Sequence, residues 1–432
     1  MKLQNKIKNK ECKIAVIGLG YVGLPLSCAF LEQGFSVLGI DLNREKIASL
    51  QKGISTISDV PSSTIEKFIN NRQFEVSENY SKLATVDAVS ICVPTPLRKT
   101  REPDLSFIIS AVESIAHNLK DEQLIVLEST TYPGTTEELV LPILEKTGRK
   151  VGQDFYLAFS PERIDPGNPH YGLHNTPKVI GGVTPQCVEL ASLLYSSITN
   201  EVVPVSSPKA AEMVKLLENT FRAVNIALVN EICLMAQKLE LNVWEVIQAA
   251  ATKPFGFMKF QPGPGLGGHC IPIDPQYLSW KLKTLNYHTR FIQLAEEINS
   301  SMPHVVVERV AAALNSQSKS IRGSKILLVG VSYKRDTSDT RESPALEVWS
   351  HLEKKGASIS YVDPYVPELT FEDQVKKSAE IKGTSISGYD CVVILTDHTN
   401  LDYRELVDKS RLVVDTRNVT SSIKKTEKIF RL

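Results

Sequence analysis

The sequence predicts an α/β protein with two Rossmann-like, doubly wound domains joined by a helical central segment. Three observations carry that prediction. Lys13-Ile14-Ala15-Val16-Ile17 has the unbroken apolar run of a strand buried on both faces, and it leads straight into Gly18-Leu19-Gly20-Tyr21-Val22-Gly23. The same rhythm returns at Lys325-Ile326-Leu327-Leu328-Val329-Gly330. Between the two, from Pro208 to about Leu314, strand signals largely vanish and helical periodicity takes over. The expected division places one α/β domain in residues 1–205, the helical segment in 206–316 and the other α/β domain in 317–432.

In the first domain the glycine turn is followed by an apolar helix, Leu24 to Gln33, and a second strand, Ser36 to Ile40, that ends in Asp41. Strand, glycine turn, helix and terminal acid at this spacing form a dinucleotide site, since the glycines let a pyrophosphate approach the helix N-terminus. Gly18, Gly20, Tyr21, Val22 and Gly23 are the expected contacts. Asp41 would accept hydrogen bonds from the ribose hydroxyls and repel a 2′-phosphate, which favours NAD over NADP; Arg44 nearby pulls the other way. The alternative is a glycine turn in an unrelated α/β protein. Asp87 to Val93 is a further strand that ends at Pro94-Thr95-Pro96, and Leu124 to Leu127 ends at Glu128-Ser129-Thr130-Thr131. Ligands lie beyond the carboxyl ends of such strands, so Thr95 and Thr130 are placed to meet the cofactor, while Thr131 is expected to cap the next helix. The polar, proline-rich loop Phe159 to Asn168 suits either a cover over a site or a surface turn.

The helical segment carries an apolar stripe at Met213, Leu217, Phe221, Val224 and Leu228, continued around Ile232 and Met235, which is a candidate subunit interface. Lys215 and Asn219 stand four apart and share a face, where they would either grip an oxyanion or simply be solvated. Then comes Gly263-Pro264-Gly265-Leu266-Gly267-Gly268-His269-Cys270-Ile271-Pro272-Ile273-Asp274. Its glycines permit close backbone approach to a ligand, and its thiol precedes by four residues a carboxylate that opens an apparent helix, Pro275 to Leu285. Cys270 and Asp274 read as nucleophile and base, or as a small buried hydrophobe and an ordinary N-cap followed by proline. His269 would tune Cys270, pack, or touch substrate.

The last domain continues with a helix from about Ser343 to Lys355, a strand from Ser358 to Val362, Asp363, and a strand from Asp390 to Leu395. Its first loop, Val331-Ser332-Tyr333-Lys334-Arg335-Asp336-Thr337, lacks the second and third glycines, so it is not another standard dinucleotide turn. Lys334, Arg335, Arg341 and, after a later strand, Arg417 put positive charge where a ligand would sit, which fits a phosphorylated second ligand or a solvated basic surface.

Composition narrows the function. The chain has 432 residues, with 49 Lys plus Arg against 49 Asp plus Glu, so no global field draws nucleic acid or an anionic membrane. Its seven scattered cysteines show neither CxxC pairs nor zinc spacing, which argues against metal and disulfide frameworks. With no secretory h-region and no long apolar span, the expected location is the cytoplasm.

Taken together, KIAVIGLGYVGLPLS, VPTP, ESTTYPG, SPERIDPGN, the Lys215/Asn219 helix, GPGLGGHCIPIDP and GVSYKRDTSDTRESPA resemble the UDP-glucose/GDP-mannose dehydrogenase family, in the family's order from about Lys13 to Asn418. SPERI, GLGGHCIPIDPQYLSWK and TKPFGFM look like the branch that oxidises UDP-N-acetylglucosamine, with UDP-glucose, UDP-N-acetylgalactosamine and UDP-N-acetylmannosamine as alternatives. The resemblance implies an NAD-dependent, four-electron oxidation of the sugar C6 hydroxyl through a thiohemiacetal and thioester on Cys270, serving bacterial surface polysaccharide (O-antigen or capsule) synthesis. It implies Asp274 as the partner of Cys270 in proton handling, Lys215 and Asn219 as oxyanion ligands, and Thr130 and Glu162 as positioners of water or protons. Lys334 and Arg417 would hold the nucleotide sugar together with Arg163 and Gly267, Arg341 would meet the cofactor phosphates, and the enzyme would be a homodimer or larger homo-oligomer. A two-electron β-hydroxyacid dehydrogenase would leave the last domain and Cys270 without a task. A non-catalytic NAD-binding protein would leave all the reacting groups without one.

Overall fold

The computed structural model describes all residues except 1, 58, 99–101, 165–167, 169, 269, 380–385 and 425–426. His269 therefore lies outside the described residues, as does part of the loop after Phe159. Two compact units emerge: residues 1–218 with 276–287, and residues 219–275 with 288–432.

The first unit is built on eight strands: β1 (Lys13–Ile17), β2 (Ser36–Ile40), β3 (Phe74–Ser77), β4 (Ala88–Ile91), β5 (Gln123–Leu127), β6 (Phe155–Phe159), β7 (Lys178–Gly182) and β8 (Val202–Val205). They lie in the order β3-β2-β1-β4-β5-β6-β7-β8, all parallel except β6 with β7. Alternate side chains of each strand enter different cores: Ile14, Val16 and Val37 pack on one face, Ala15, Ile17 and Leu38 on the other. Burial on both faces explains why these strands read as continuous apolar runs. The chain reverses its direction of growth between β1 and β4, and the loops leaving those two strands define the place where such sheets bind ligands. A short helix not anticipated from the basic N-terminus, Lys2–Lys8, buries Leu3 and Ile7 and brings Lys6 within 2.7 Å of Asp87.

The second unit has a parallel sheet of β9 (Lys325–Val329), β10 (Ser358–Val362), β13 (Cys391–Ile394), β14 (Val413–Asp415) and β15 (Ile429–Arg431), in the order β10-β9-β13-β14-β15. The hairpin strands β11 (Glu368–Phe371) and β12 (Gln374–Lys377) stand apart from it. One face of the sheet, with Ile326 and Leu328, shares a core with Val229, Cys233, Trp244 and Met302 of the helical segment; the other, with Leu327 and Val329, packs on Leu406 and Val407.

The central segment is helical, with Pro208–Lys238, Val243–Ala250, Asp274–Lys283 and Arg290–Asn315. Most of the apolar stripe of Pro208–Lys238 does not face the core, although Ile232 packs against it. Ala223, Ala227 and Cys233 do, whereas Phe221, Leu228 and Met235 are 45%, 51% and 47% exposed.

Candidate active site

In the first unit the glycine turn has the form a dinucleotide requires. Gly18 has φ +93°, and a Cβ there would lie 2.5 Å from the Cys92 carbonyl oxygen; a Cβ on Gly23 would lie 1.8 Å from the Gly18 oxygen. Both are glycines because backbone packs on backbone. Gly20 differs, for a Cβ there would meet nothing within 4 Å: its glycine keeps open a space the protein itself does not fill. That space adjoins the start of helix Gly23–Glu32, whose N-cap residue Val22 makes no side-chain capping bond. An uncapped helix start beside an open glycine fits a pyrophosphate.

Asp41 accepts from Leu19 N at 2.9 Å, Asn43 N at 2.9 Å and Lys46 Nζ at 2.7 Å. Burial pushes its carboxyl up, but the Lys46 bond and the two N–H donors outweigh that, so it lies below the usual carboxylate range and stays ionised. The Arg44 guanidinium pairs with Glu78 at 2.9 Å. Thr95 is buried, and its carbonyl accepts from Tyr277 Oη at 2.9 Å. Thr130, Glu162 and Lys215 are all more than nine-tenths buried at the C-terminal edge of this sheet or on the helix that follows it. Arg163 grips Glu218 at 2.6 Å and the Pro177 carbonyl at 2.7 Å, which tethers the Glu162 loop.

Thr131 corrects the capping expectation. Its hydroxyl is buried and makes no hydrogen bond among the described residues. The helical start after it is served from a distance by Glu212, which accepts from Thr136 N at 2.9 Å, Thr136 Oγ1 at 2.7 Å and Gly134 N. A carboxylate with several donors outcompetes a neighbouring hydroxyl for those N–H groups.

In the second unit Asp274 begins helix Asp274–Lys283, is fully buried, and accepts from Asn219 Nδ2 at 2.6 Å. Its N–H donates to the Cys270 carbonyl at 2.8 Å, so Cys270 stands one helical turn ahead of the carboxylate. The glycines before the thiol owe their identity to what they touch. A Cβ on Gly263 would lie 2.8 Å from Arg417 Nη1, and on Gly267 and Gly268 2.6 and 2.7 Å from Tyr333. Gly268 N donates to the Arg341 carbonyl at 3.0 Å, and Arg341 itself pairs with Asp339 at 2.6 Å. Lys334 is held by its carbonyl, which accepts from Ser332 Oγ at 2.9 Å and Thr337 Oγ1 at 3.1 Å. Arg417 Nε donates to the Leu395 carbonyl at 2.8 Å.

The family models decide what this arrangement belongs to. The UDP-glucose/GDP-mannose dehydrogenase family matches in three consecutive parts, its NAD binding domain over residues 12–199, its central domain over 209–301 and its UDP binding domain over 327–422. The chain belongs to the UDP-glucose/GDP-mannose dehydrogenase family. As a member it is an NAD-dependent nucleotide-sugar dehydrogenase, and it is 34% identical to a UDP-N-acetyl-D-glucosamine 6-dehydrogenase of Pseudomonas aeruginosa, covering 90% of this chain and 91% of that one. It is 36% identical to a UDP-N-acetyl-D-mannosamine dehydrogenase of Methanococcus maripaludis, over 94% and 93%. The solved structure of a UDP-D-ManNAc dehydrogenase from Pyrococcus horikoshii matches with a TM-score of 0.88 at 33% identity, over 97% and 98%.

Within this dehydrogenase the other thiols are unsuited to nucleophilic work. Burial pushes Cys12, Cys28 and Cys391 up to about 12, Cys233 up to about 11 and Cys92 well above the usual thiol value; Cys187 is buried as well, and Cys270 is the exposed one. Several supporting residues escaped the sequence reading. Buried Asn230 accepts from Gly263 N at 3.0 Å and donates to Asn299 at 2.9 Å, while Asn299 donates to the Ala223 carbonyl at 3.1 Å, so an amide pair fixes the start of the glycine run to two long helices. An asparagine among the inward positions of each helix was the available signal. Lys178 and Glu212 left no local signal, and Glu128 was read only as the end of a strand and part of a motif.

Proposed function

We propose that the protein oxidises the C6 hydroxyl of UDP-N-acetylglucosamine to the carboxylate, with two NAD reduced per sugar. The observation that carries the reading is the presence in one chain of a glycine turn open at Gly20 and an exposed thiol one turn ahead of the buried Asp274–Asn219 pair. NAD supplies the hydride acceptor when bound. Gly18 to Gly23 and Asp41 are its holders in this reading, with Arg341 on phosphate. Thr95 and Thr130 would meet it at the strand ends.

Oxidation of an alcohol to an acid passes through an aldehyde, which would escape or hydrate. Addition of the Cys270 thiolate to the aldehyde carbon keeps the second hydride on a covalently held thiohemiacetal; its departure leaves a thioester that water cleaves. Lys215 and Asn219 donate to the oxygen that becomes anionic, a role in which loss of one donor costs about a hundredfold or more in rate. Asp274, with Asn219 on one oxygen, handles the thiol proton, and Thr130 and Glu162 serve the hydrolytic water.

The nucleotide sugar belongs with Lys334 and Arg417, with Arg163 and Gly267 toward the sugar. No helix among the described residues is long and apolar enough to cross a membrane, and the reading places the enzyme in the cytoplasm, feeding surface polysaccharide synthesis. Phe221, Leu228 and Met235, a heptad apart and about equally exposed, form a seam for a second copy of the chain. Sedimentation of the wild type beside Leu228→Glu is expected to show a dimer for the first and a monomer for the second.

UDP-N-acetylmannosamine is the second reading, favoured by relatives of equal similarity that carry that name. Purified protein with NAD and a panel of UDP-sugars separates the two. The acid product is expected from UDP-N-acetylglucosamine; turnover confined to another sugar would overturn the substrate assignment.

A further inference from the structure

A buried charged cluster in the first unit lies outside the residues assigned above. Lys178 opens β7, which runs antiparallel to β6 with Phe159 opposite Gly181, so Lys178 lies beyond the end of β6 from which Glu162 follows. Its Nζ donates to Glu128 Oε2 at 2.6 Å and to Glu162 Oε2 at 3.1 Å, and the three residues are 4%, 1% and 9% exposed. Glu162 Oε1 accepts from Arg163 N and Ile164 N, both at 2.7 Å. Glu128 is anchored in turn by the Tyr195 hydroxyl at 2.5 Å, which also meets Ser90 Oγ at 3.0 Å.

A single buried ion pair would need one carboxylate; here one ammonium is shared by two. Glu162 is the one of the two that lies in the loop after β6, and among the described residues three of the roughly four acceptor positions of its carboxylate are filled, two on Oε1 and one on Oε2, with Lys178 setting the direction of Oε2. Burial pushes the Glu162 carboxyl up, but Lys178, the Ile164 N–H and Lys215 outweigh it, and Glu162 stays below the usual range; Glu128, with burial and Glu162 against it, lies above.

We propose that Lys178, anchored by Glu128, is the positioning residue that holds Glu162 as an oriented carboxylate for hydrolysis of the thioester. The proposal rests on the proton-handling role of Glu162 read above. In that step water oxygen bonds to the thioester carbon, the C–S bond breaks and Cys270 departs as thiolate. One water proton passes to Glu162, and the other leaves with the acid product to solvent.

Lys178→Met alone strands two buried carboxylates, so the test is Lys178→Met with Glu128→Gln, which keeps the net charge of the cluster. It is run beside Glu162→Gln, with thermal midpoint, NAD affinity, kcat, KM and the intact mass of the enzyme during turnover all measured. The double variant is expected to keep its midpoint, NAD affinity and KM, to lose about a hundredfold in kcat, and to accumulate enzyme acylated at Cys270, as Glu162→Gln does. Lys178→Arg, which keeps charge and donors, is expected to restore most of the turnover. Normal turnover by the double variant while Glu162→Gln is slow would overturn the proposal, as would slow turnover without acyl-enzyme. Normal turnover by Glu162→Gln would instead overturn the role read for Glu162 itself.

Discussion

Gly18 and Gly330 occupy the same place in their two sheets. Each follows the opening strand and has positive φ, +93° and +82°, and each lies against the end of the neighbouring parallel strand, where a Cβ would come within 2.5 Å of the Cys92 oxygen or 2.4 Å of Thr396 Cβ. Each is followed by an N–H that donates to the acid closing the second strand, Leu19 to Asp41 at 2.9 Å and Val331 to Asp363 at 2.8 Å. From there they diverge. A helix begins at Gly23, five residues after Gly18, but only at Pro344, fourteen residues after Gly330. The Asp41 side chain keeps 11% of its surface, whereas Asp363 keeps none and accepts also from Ser332 N, Tyr365 N and His398 Nε2 at 3.1, 2.9 and 3.0 Å. His398 Nδ1 accepts from Asp336 N at 3.0 Å, which puts the ring proton on Nε2, facing Asp363. The same strand-end geometry thus leaves the acid partly open in the first unit. In the second it clamps the loop that carries Lys334.

Asp363→Asn should break the comparison hardest. The amide leaves at least one buried donor without an acceptor, so stability should fall by on the order of 3 kcal/mol in denaturant unfolding while NAD affinity is unchanged. Gly20→Val should do the reverse: the unfolding midpoint holds, because a Cβ there has no protein atom within 4 Å, and NAD binding weakens about a hundredfold by isothermal titration. Asp41→Asn should cost about tenfold in NAD affinity and little stability.

Acid should also discriminate. Burial pushes the Asp363 carboxyl up, but His398 and the Val331 and Tyr365 N–H donors outweigh it and hold it below the ordinary aspartate value of 3.8. Its folded pKa is therefore depressed, so its contribution is fully present above that value and is lost as pH falls through the folded pKa. The stability gap between wild type and Asp363→Asn should be constant near neutral pH and close only below about pH 4. A gap that closes well above pH 4 would contradict this.

What the sequence disclosed was what neighbouring residues determine. Strand β1, the turn and Asp41 lie within thirty residues, and every rule linking them is local. The second βαβ opening could be read as a degenerate copy for the same reason. Its burial of Asp363 could not, since His398 arrives from 35 positions downstream. Thr131 was misplaced because its competitor for the helix start, Glu212, lies 76 residues from Thr136. Periodicity found the stripe that includes Phe221 and Leu228 and offered it as a candidate subunit interface, but that both side chains are exposed comes only from the fold.

The central claim is that one unit serves NAD while Cys270 retains the sugar between two hydride departures. The direct measurement is NADH formed per UDP-N-acetylglucosamine consumed, for wild type and Cys270→Ser. A ratio of two for the wild type, lost in the variant, is expected; a ratio of one, or an undiminished two without the thiol, would contradict it.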